Sequence, residues 1–216
     1  VSTSASQGSE VVAVLGADGA VVGQAPSLTV EQVLDLYRSM LRVRAVDAKA
    51  AELVAAGRIH AHADSRAVEA AVVGSAFAAR QRDWLFPARR ELGALLLRGC
   101  PLSAYFGHLL GNAADPGKGR QLPEGWSYRD GNIACVGALP GAHLGHAAGF
   151  AWAAKINREA IAVLAYLSQD EADSADFHNS LNFAGVFNLP VVWLCRATGP
   201  SAAGEHVAGK GIAYGV

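Results

Sequence analysis

Two short apolar runs, separated by a polar stretch, limit the possible folds of this chain more than any other feature. Residues 160–167 read Ala-Ile-Ala-Val-Leu-Ala-Tyr-Leu, and residues 190–195 read Pro-Val-Val-Trp-Leu-Cys. Both runs have the length and composition of buried strands. Between them, a polar stretch at 168–175 precedes a helix-like segment at 176–187. The pattern predicts two neighbouring parallel strands joined by a helix, with the polar loop at their carboxyl edge, where α/β enzymes bind ligands.

The composition predicts one α/β domain without a nucleic-acid or membrane partner. The chain has 216 residues, of which 51% are hydrophobic and 17% charged, enough for one buried core and too few for two large domains. We expect a single domain at 29–216, preceded by a lead-in at 1–28 that contains a small hairpin around Asp18-Gly19. The net charge of −1 gives no basic field that would attract nucleic acid or an anionic membrane surface.

The three cysteines indicate a reducing compartment. Cys100, Cys135 and Cys195 are odd in number, widely spaced and set among apolar residues. This arrangement is typical of buried, reduced thiols and not of a disulfide framework or a zinc site. A cytoplasmic location is therefore expected.

A stretch without charged side chains at 132–154 is long enough to suggest a membrane span. Glycine, alanine, a proline and two histidines dominate it, whereas a spanning helix needs sustained Leu, Ile, Val or Phe. We therefore expect a buried strand at 133–136 and a tightly packed helix at 141–156.

The amino-terminal third contains the pattern of a long amphipathic helix. Thr29 and Gln32 have the spacing of a capping box, and apolar residues recur at helical spacing until Gly57. The helix would make about seven turns. Its predicted apolar positions are Val33, Leu36, Tyr37, Met40, Val43, Val46, Ala50, Leu53 and Val54. Its predicted polar face, solvated or facing a subunit, holds Asp35, Arg38, Arg42, Asp47 and Lys49.

Several shorter elements complete the predicted domain. Helices are expected at 68–79, 91–98 and 102–110, and a short strand at 84–86. The connection at 111–131 is rich in glycine, proline and charge, and a loop of this length is usually functional or bound to a partner.

Three further motifs carry a resemblance to a known family. They are Asp-Trp-Leu-Phe-Pro at 83–87, Arg-Arg-Glu-Leu-Gly at 89–93 and Gly-Lys-Gly-Arg-Gln-Leu-Pro at 117–123. The segment 68–195 resembles, without gaps, the α subunit of the thiamine-diphosphate-dependent decarboxylating component of 2-oxo acid dehydrogenases, most like the branched-chain type. The resemblance implies the thiamine-diphosphate-binding fold, a mainly parallel sheet with helices on both faces. Relative to this family, the sequence ends at Val216, where the family's second half begins.

The resemblance also implies the cofactor and the partner. In this family thiamine diphosphate lies between an α and a β subunit of an α2β2 heterotetramer, with its diphosphate on α. Arg90 matches a diphosphate-binding arginine, and Arg196 matches a second phosphate-facing arginine. The other cofactor-facing positions that the resemblance assigns are Arg89, Leu139, Gln169 and Asp170. The alternative for Arg89 and Arg90 is a pair of surface charges at a helix start.

Magnesium is in doubt because its ligands are replaced. The family's ligand positions carry Gln169, Thr198 and Pro200 here, whereas magnesium prefers a carboxylate beside the diphosphate. Asp170 is a possible substitute, displaced by one residue. His143 and His146 lie three apart on the predicted helix but lack a third ligand, so we assign no metal ligand and no catalytic residue to this chain.

Three functions are compatible with these residues. The first is an α-like subunit of a branched-chain-like 2-oxo acid dehydrogenase or decarboxylase that works with a β subunit. The second is a catalytically degenerate paralogue that scaffolds a β-like partner or binds an acyl-carrying domain or protein. The third is a variant that uses the same chemistry to make an acyl group or an acyloin for a natural product.

Overall fold

The computed structural model describes residues 13–123, 125, 127–134, 139–197 and 202–216. Single turns of 3-10 helix lie at Arg129–Gly131 and Gln169–Asp173. The strands within these ranges are β1 (Trp84–Phe86), β2 (Val163–Ser168) and β3 (Val191–Arg196). The helices are α1 (Val30–Ala55), α2 (Glu69–Ala78), α3 (Leu92–Leu97), α4 (Leu102–Leu110), α5 (Ala142–Ile156), α6 (Ala175–Phe187) and α7 (Ala202–Tyr214).

The strands form a parallel sheet in the order β1-β2-β3, with β2 in the centre. Val163 pairs with Val191, and the register continues to Ser168 opposite Arg196. Since α6 connects β2 to β3, the predicted unit of strand, helix and parallel strand is confirmed. All three carboxyl ends therefore meet at one edge of the sheet.

Helices cover both faces of the sheet, as expected for an α/β fold. Leu164 and Tyr166 of β2 contribute to a core with residues of α1, α3 and α4. Val163, Ala165 and Leu167 point to the opposite face and pack with residues of α5, α6 and α7. Because alternate side chains of a strand point to opposite faces, β2 is apolar at every position from 163 to 167.

The amino end of α1 has the predicted capping box. The Thr29 hydroxyl accepts a hydrogen bond from the Gln32 amide at 3.2 Å, and the Gln32 side chain accepts one from the Thr29 amide at 2.9 Å. These bonds satisfy two donors that would otherwise be unpaired at the helix start. The helix spans 26 residues, in agreement with the predicted seven turns.

The prediction for the faces of α1 is wrong at four positions. Val33, Tyr37 and Val54 were expected to be buried, yet they are 50%, 55% and 36% exposed. Asp47 was expected on the solvated face, yet it is buried. The core covers only a narrow strip of this helix, so helical spacing alone could not show which apolar residues would be covered.

Asp47 is buried because its carboxylate joins α1 to the following loop. Its Oδ1 lies 2.7 Å from His62 Nε2, and its Oδ2 accepts a hydrogen bond from the Ser65 amide at 3.1 Å. The Tyr105 hydroxyl of α4 lies 3.3 Å from the other ring nitrogen of His62. A charged group inside a protein needs such partners, and here they connect α1, the loop at 58–66 and α4.

Smaller elements differ from the prediction in places. The expected hairpin has an antiparallel bridge between Leu15 and Val21, while residues 11–12 lie outside the described part. Ile133 bridges to both Leu85 and Tyr128, but 135–136 of the predicted strand are also outside it. The run that forms β3 was expected to be a buried strand, and this is wrong: Val192 is 50% exposed and Cys195 is also exposed, since among the described strands β3 is the outer strand beside β2. Across the described residues, no helix combines the length and apolarity needed to cross a membrane.

Replacing Asp47 tests whether its buried contacts support the fold. We expect Asp47→Ala to lower the free energy of unfolding by about 2–4 kcal/mol, because His62 and the Ser65 amide lose their buried partner. Urea unfolding followed by circular dichroism measures this loss. The matched control, Asp35→Ala on the exposed side of α1, should cost less than about 1 kcal/mol. Equal losses in the two variants would contradict the role given to Asp47.

Candidate functional site

The carboxyl ends of the strands bring the predicted cofactor-facing residues to one edge of the sheet. Arg89 and Arg90 follow β1, Gln169 and Asp170 follow β2, and Arg196 ends β3. Ser168 is paired with Arg196 in the sheet register. Residues separated by more than 100 positions in the sequence therefore lie at the same edge.

A buried glutamate that the sequence analysis did not single out organises this edge. Glu171 Oε2 accepts hydrogen bonds from the Ser168 amide at 2.6 Å and from the Ser168 hydroxyl at 3.1 Å. Its Oε1 accepts one from the Gly141 amide at 2.8 Å, immediately before α5. The spacing of Ser168 and Glu171 is that of a capping box, a signal that the sequence did contain.

Gly141 is required where Glu171 reaches it. Its φ of +80° lies in the left-handed region, and an added Cβ would come within 2.7 Å of the Ser174 hydroxyl oxygen. Leu139, two residues earlier, is 71% exposed. The segment that carries Leu139 is thus held at the carboxyl edge of β2 through Gly141 and Glu171.

Arg196 is buried against Glu91. Arg196 Nε and Glu91 Oε1 lie 2.6 Å apart as an ion pair, without the alignment of a hydrogen bond, and both side chains are almost fully buried. Burial raises the pKa of the Glu91 carboxyl to about 7, against the opposing effect of Arg196. The nearby negative charge of Glu171 raises it further. We call Glu91, Glu171 and Arg196 the edge cluster.

Arg90 is held by backbone carbonyl groups. Its Nε donates to the carbonyl of Asp64 at 2.5 Å, and its Nη2 donates to the carbonyl of Arg66 at 3.2 Å. A guanidinium carries five N–H donors, so these two bonds fix its plane and leave capacity for an anion. Arg89 is exposed.

The described residues fit a diphosphate better than they fit magnesium. Arg90 supplies oriented donors, whereas Gln169 has no negative charge and both carboxylate oxygens of Glu171 are used by backbone amides. Within the part of the chain that the structure describes, no group of three or more His, Cys, Asp or Glu residues could hold a metal ion. Asp170 is exposed, and the other two ligand positions, Thr198 and Pro200, lie outside the described residues.

The histidines in this region have separate surroundings. His143 is buried, and its Nε2 donates to the Tyr166 carbonyl at 2.6 Å, so it connects α5 to β2. His146 is exposed on the same helix. His178 Nδ1 contacts the Tyr214 hydroxyl at 2.6 Å on the surface. The spacing of the first two does not bring them to a common site.

Residues 115–122 of the long loop at 111–131 are held to α4 and to one another by hydrogen bonds. His108 Nδ1 lies 3.0 Å from Asp115 Oδ1, and the same carboxylate accepts hydrogen bonds from the amides of Gly117 and Gly119. His108 Nε2 donates to the Leu122 carbonyl at 2.9 Å. The family-like motif at 117–123 is therefore anchored to α4, and its function stays a prediction.

Comparisons with known proteins are consistent with this geometry. Residues 37–199 match the family described as Dehydrogenase E1 component. The chain is 31% identical over 199 residues to "2-oxoisovalerate dehydrogenase subunit alpha, mitochondrial" of Mus musculus, an alignment that covers 88% of this chain and 45% of the mouse protein. It is 30% identical over 203 residues to "2-oxoisovalerate dehydrogenase subunit alpha" of Bacillus subtilis, covering 89% and 62%. The chain thus spans roughly half the length of the curated relatives it matches.

The raised pKa of Glu91 predicts a pH-dependent stability. Between its ordinary value of 4.5 and about 7, the folded state keeps a proton that the unfolded state releases, so the stabilisation present below pH 4.5 is lost as the pH rises through 7. The loss should be on the order of 3 kcal/mol. Glu91→Gln should flatten the dependence of unfolding free energy on pH in urea titrations. Glu52→Gln, at an exposed site on α1, should retain it. Parallel curves for Glu91→Gln and the unmodified chain would refute the assignment.

Proposed function

Since this chain belongs to the Dehydrogenase E1 component family, we propose that it is an α-like subunit of a branched-chain-like 2-oxo acid dehydrogenase or decarboxylase. It works with a β subunit, in an α2β2 assembly, and is not active alone. The observation that carries this proposal is the position of Arg90, Arg196 and the loop at 168–175 at one carboxyl edge of the sheet. An anionic cofactor binds at such edges in α/β enzymes.

The contribution of this chain is to hold the diphosphate of thiamine diphosphate. Arg90 is the principal anion ligand because two backbone carbonyls fix its guanidinium in place. Arg89 and Arg196 add positive charge, and Leu139 lies close to the same edge through its link to Gly141. The bound cofactor supplies the carbanion chemistry that decarboxylates a 2-oxo acid.

A specific observation also supports the second function, a degenerate paralogue that scaffolds a β-like partner. Arg196 is already paired with the buried Glu91, so an ionised Glu91 would cancel the charge that a diphosphate needs. Gln169 also weakens the cofactor site, because this amide stands at the position where the family has a metal-binding carboxylate. In that case the chain would keep the fold and the partner surface without holding the cofactor.

Magnesium dependence tests the cofactor site directly. A ligand at 100 times its dissociation constant stabilises a protein by about 2.7 kcal/mol, which a thermal shift readily detects. We expect thiamine diphosphate to give no magnesium-dependent shift with this chain, and Gln169→Asp together with Thr198→Asn to restore part of the dependence. Arg90→Gln is the control that should remove any magnesium-independent shift. A metal-dependent shift in the unmodified chain would show that Asp170 or another group replaces the lost ligand.

We expect a β-like subunit to cover exposed apolar side chains at the carboxyl ends of α5 and α6. Ile156 and Val186 are 63% and 67% exposed, and the rings of Trp152 and Phe187 lie 5.5 Å apart. Lys155 of α5 donates to the Phe187 carbonyl at 2.6 Å, so the two helix ends are close together. Exposed apolar side chains grouped in this way are typical of a protein interface.

Co-expression with a β-like subunit tests this contact. We expect a stable complex with the size of a heterotetramer, and we expect Ile156→Asp to reduce co-purification by at least about tenfold, since it places a charge in the buried centre of the interface. Ile212→Asp, at a residue of α7 that is 67% exposed, is the matched control. Failure of the unmodified chain to bind any β-like subunit would contradict the proposed assembly.

A further inference from the structure

A second apolar surface lies on α1, separate from the candidate site. Five residues at helical spacing are exposed by 45–78%, and we call them the α1 stripe: Val30, Val33, Leu34, Tyr37 and Leu41. At about 100° per residue they fall on one side of the helix, and at 1.5 Å per residue they extend over about 17 Å. The opposite side of α1 packs into the core through residues such as Val43 and Ala50.

Charged residues along one flank of the α1 stripe change sign from one end to the other. Glu31 and Asp35 lie in the amino-terminal half, and Arg38 and Arg42 lie in the other half. All four are exposed, and each is about 80–140° around the helix from Val30, on the same side. The two acidic residues are four positions apart, as are the two arginines, so one register can pair both sets.

We propose that the α1 stripe binds a second copy of this chain, with the two α1 helices antiparallel about a twofold axis. A twofold axis normal to the plane of the two helices places the charged flank of one α1 beside the charged flank of the other α1. The two flanks then run in opposite directions. The acidic half of one helix then faces the basic half of the other. Glu31 pairs with Arg42 of the second copy. Asp35 and Arg38 already form an ion pair within each helix at 2.9 Å, and this pair meets the same pair of the partner with opposite charges adjacent. The apolar side chains pack between the helices.

The charge pattern favours this occupant over a parallel copy. In a parallel pair about a twofold axis along the helices, the two charged flanks would lie on opposite sides of the contact, so the flank charges would gain no opposite charge from the partner. The contact is also small: a stripe of this length buries less than the roughly 800 Å2 per partner of a standard interface. We therefore expect a dimer with a dissociation constant of about 10 µM or weaker. The inference does not depend on the cofactor or on a β subunit.

Sedimentation velocity of the full 216-residue chain tests the proposal. A monomer–dimer equilibrium is expected as the concentration rises towards about 200 µM. Glu31→Arg and Arg42→Glu should each weaken dimerisation about fivefold or more, since each converts two symmetry-related attractions into repulsions. An equimolar mixture of these two variants should recover the dimer, because the mixed pair again places opposite charges together. Leu34→Glu should abolish the dimer.

Controls separate this contact from other effects. Lys49→Glu lies on the same flank but beyond the stripe, and it should leave the dimer unchanged. Circular dichroism melting shows whether each variant remains folded. The proposal is overturned by a monomer at every concentration, or by association that Leu34→Glu does not affect. It is equally overturned if Leu34→Glu spares self-association but removes binding of a co-expressed β-like subunit, because the α1 stripe would then belong to that partner.

Discussion

Burial of β2 on both faces is the constraint on which the rest of this structure depends. Its side chains at 163–167 are apolar on both sides, so the strand is stable only between two helical layers. One layer includes α1 and the other includes α5 and α6. Because β1 and β3 run parallel to β2, the carboxyl ends of all three strands lie at a single edge of the sheet, together with the loops that follow them.

The polar groups at that edge are mostly engaged with one another. Glu171 accepts hydrogen bonds from the amides of Ser168 and Gly141, and Glu91 is paired with Arg196, both side chains being almost fully buried. A buried ion pair of this kind contributes little net stability but strongly disfavours the loss of either partner. The edge cluster therefore limits how much free positive charge the site can offer, whereas Arg90 keeps donors that the backbone orients.

The sequence predicted the elements because their signals are local. The capping box at Thr29, the apolar runs of β2 and β3 and the helix between them each depend on residues close together in the chain, and the structure confirms them. Their family resemblance is confirmed by the match over residues 37–199. The cofactor-binding role of Arg90, Arg196 and their neighbours stays a prediction, since the geometry assembles these residues without identifying what they bind.

By itself, the sequence determined the order of the elements, because apolar runs and helical periodicity report on the local environment of each residue. Only the tertiary structure decided that Asp47 is buried, that Val33 and Tyr37 are exposed, and that Glu91 faces Arg196 across 105 positions of sequence. Apolar spacing on a helix predicts which side of the helix is apolar, but not whether another element covers that side. A charged residue is expected to be exposed unless a partner from elsewhere in the chain balances its charge. Only the fold brings that partner into contact.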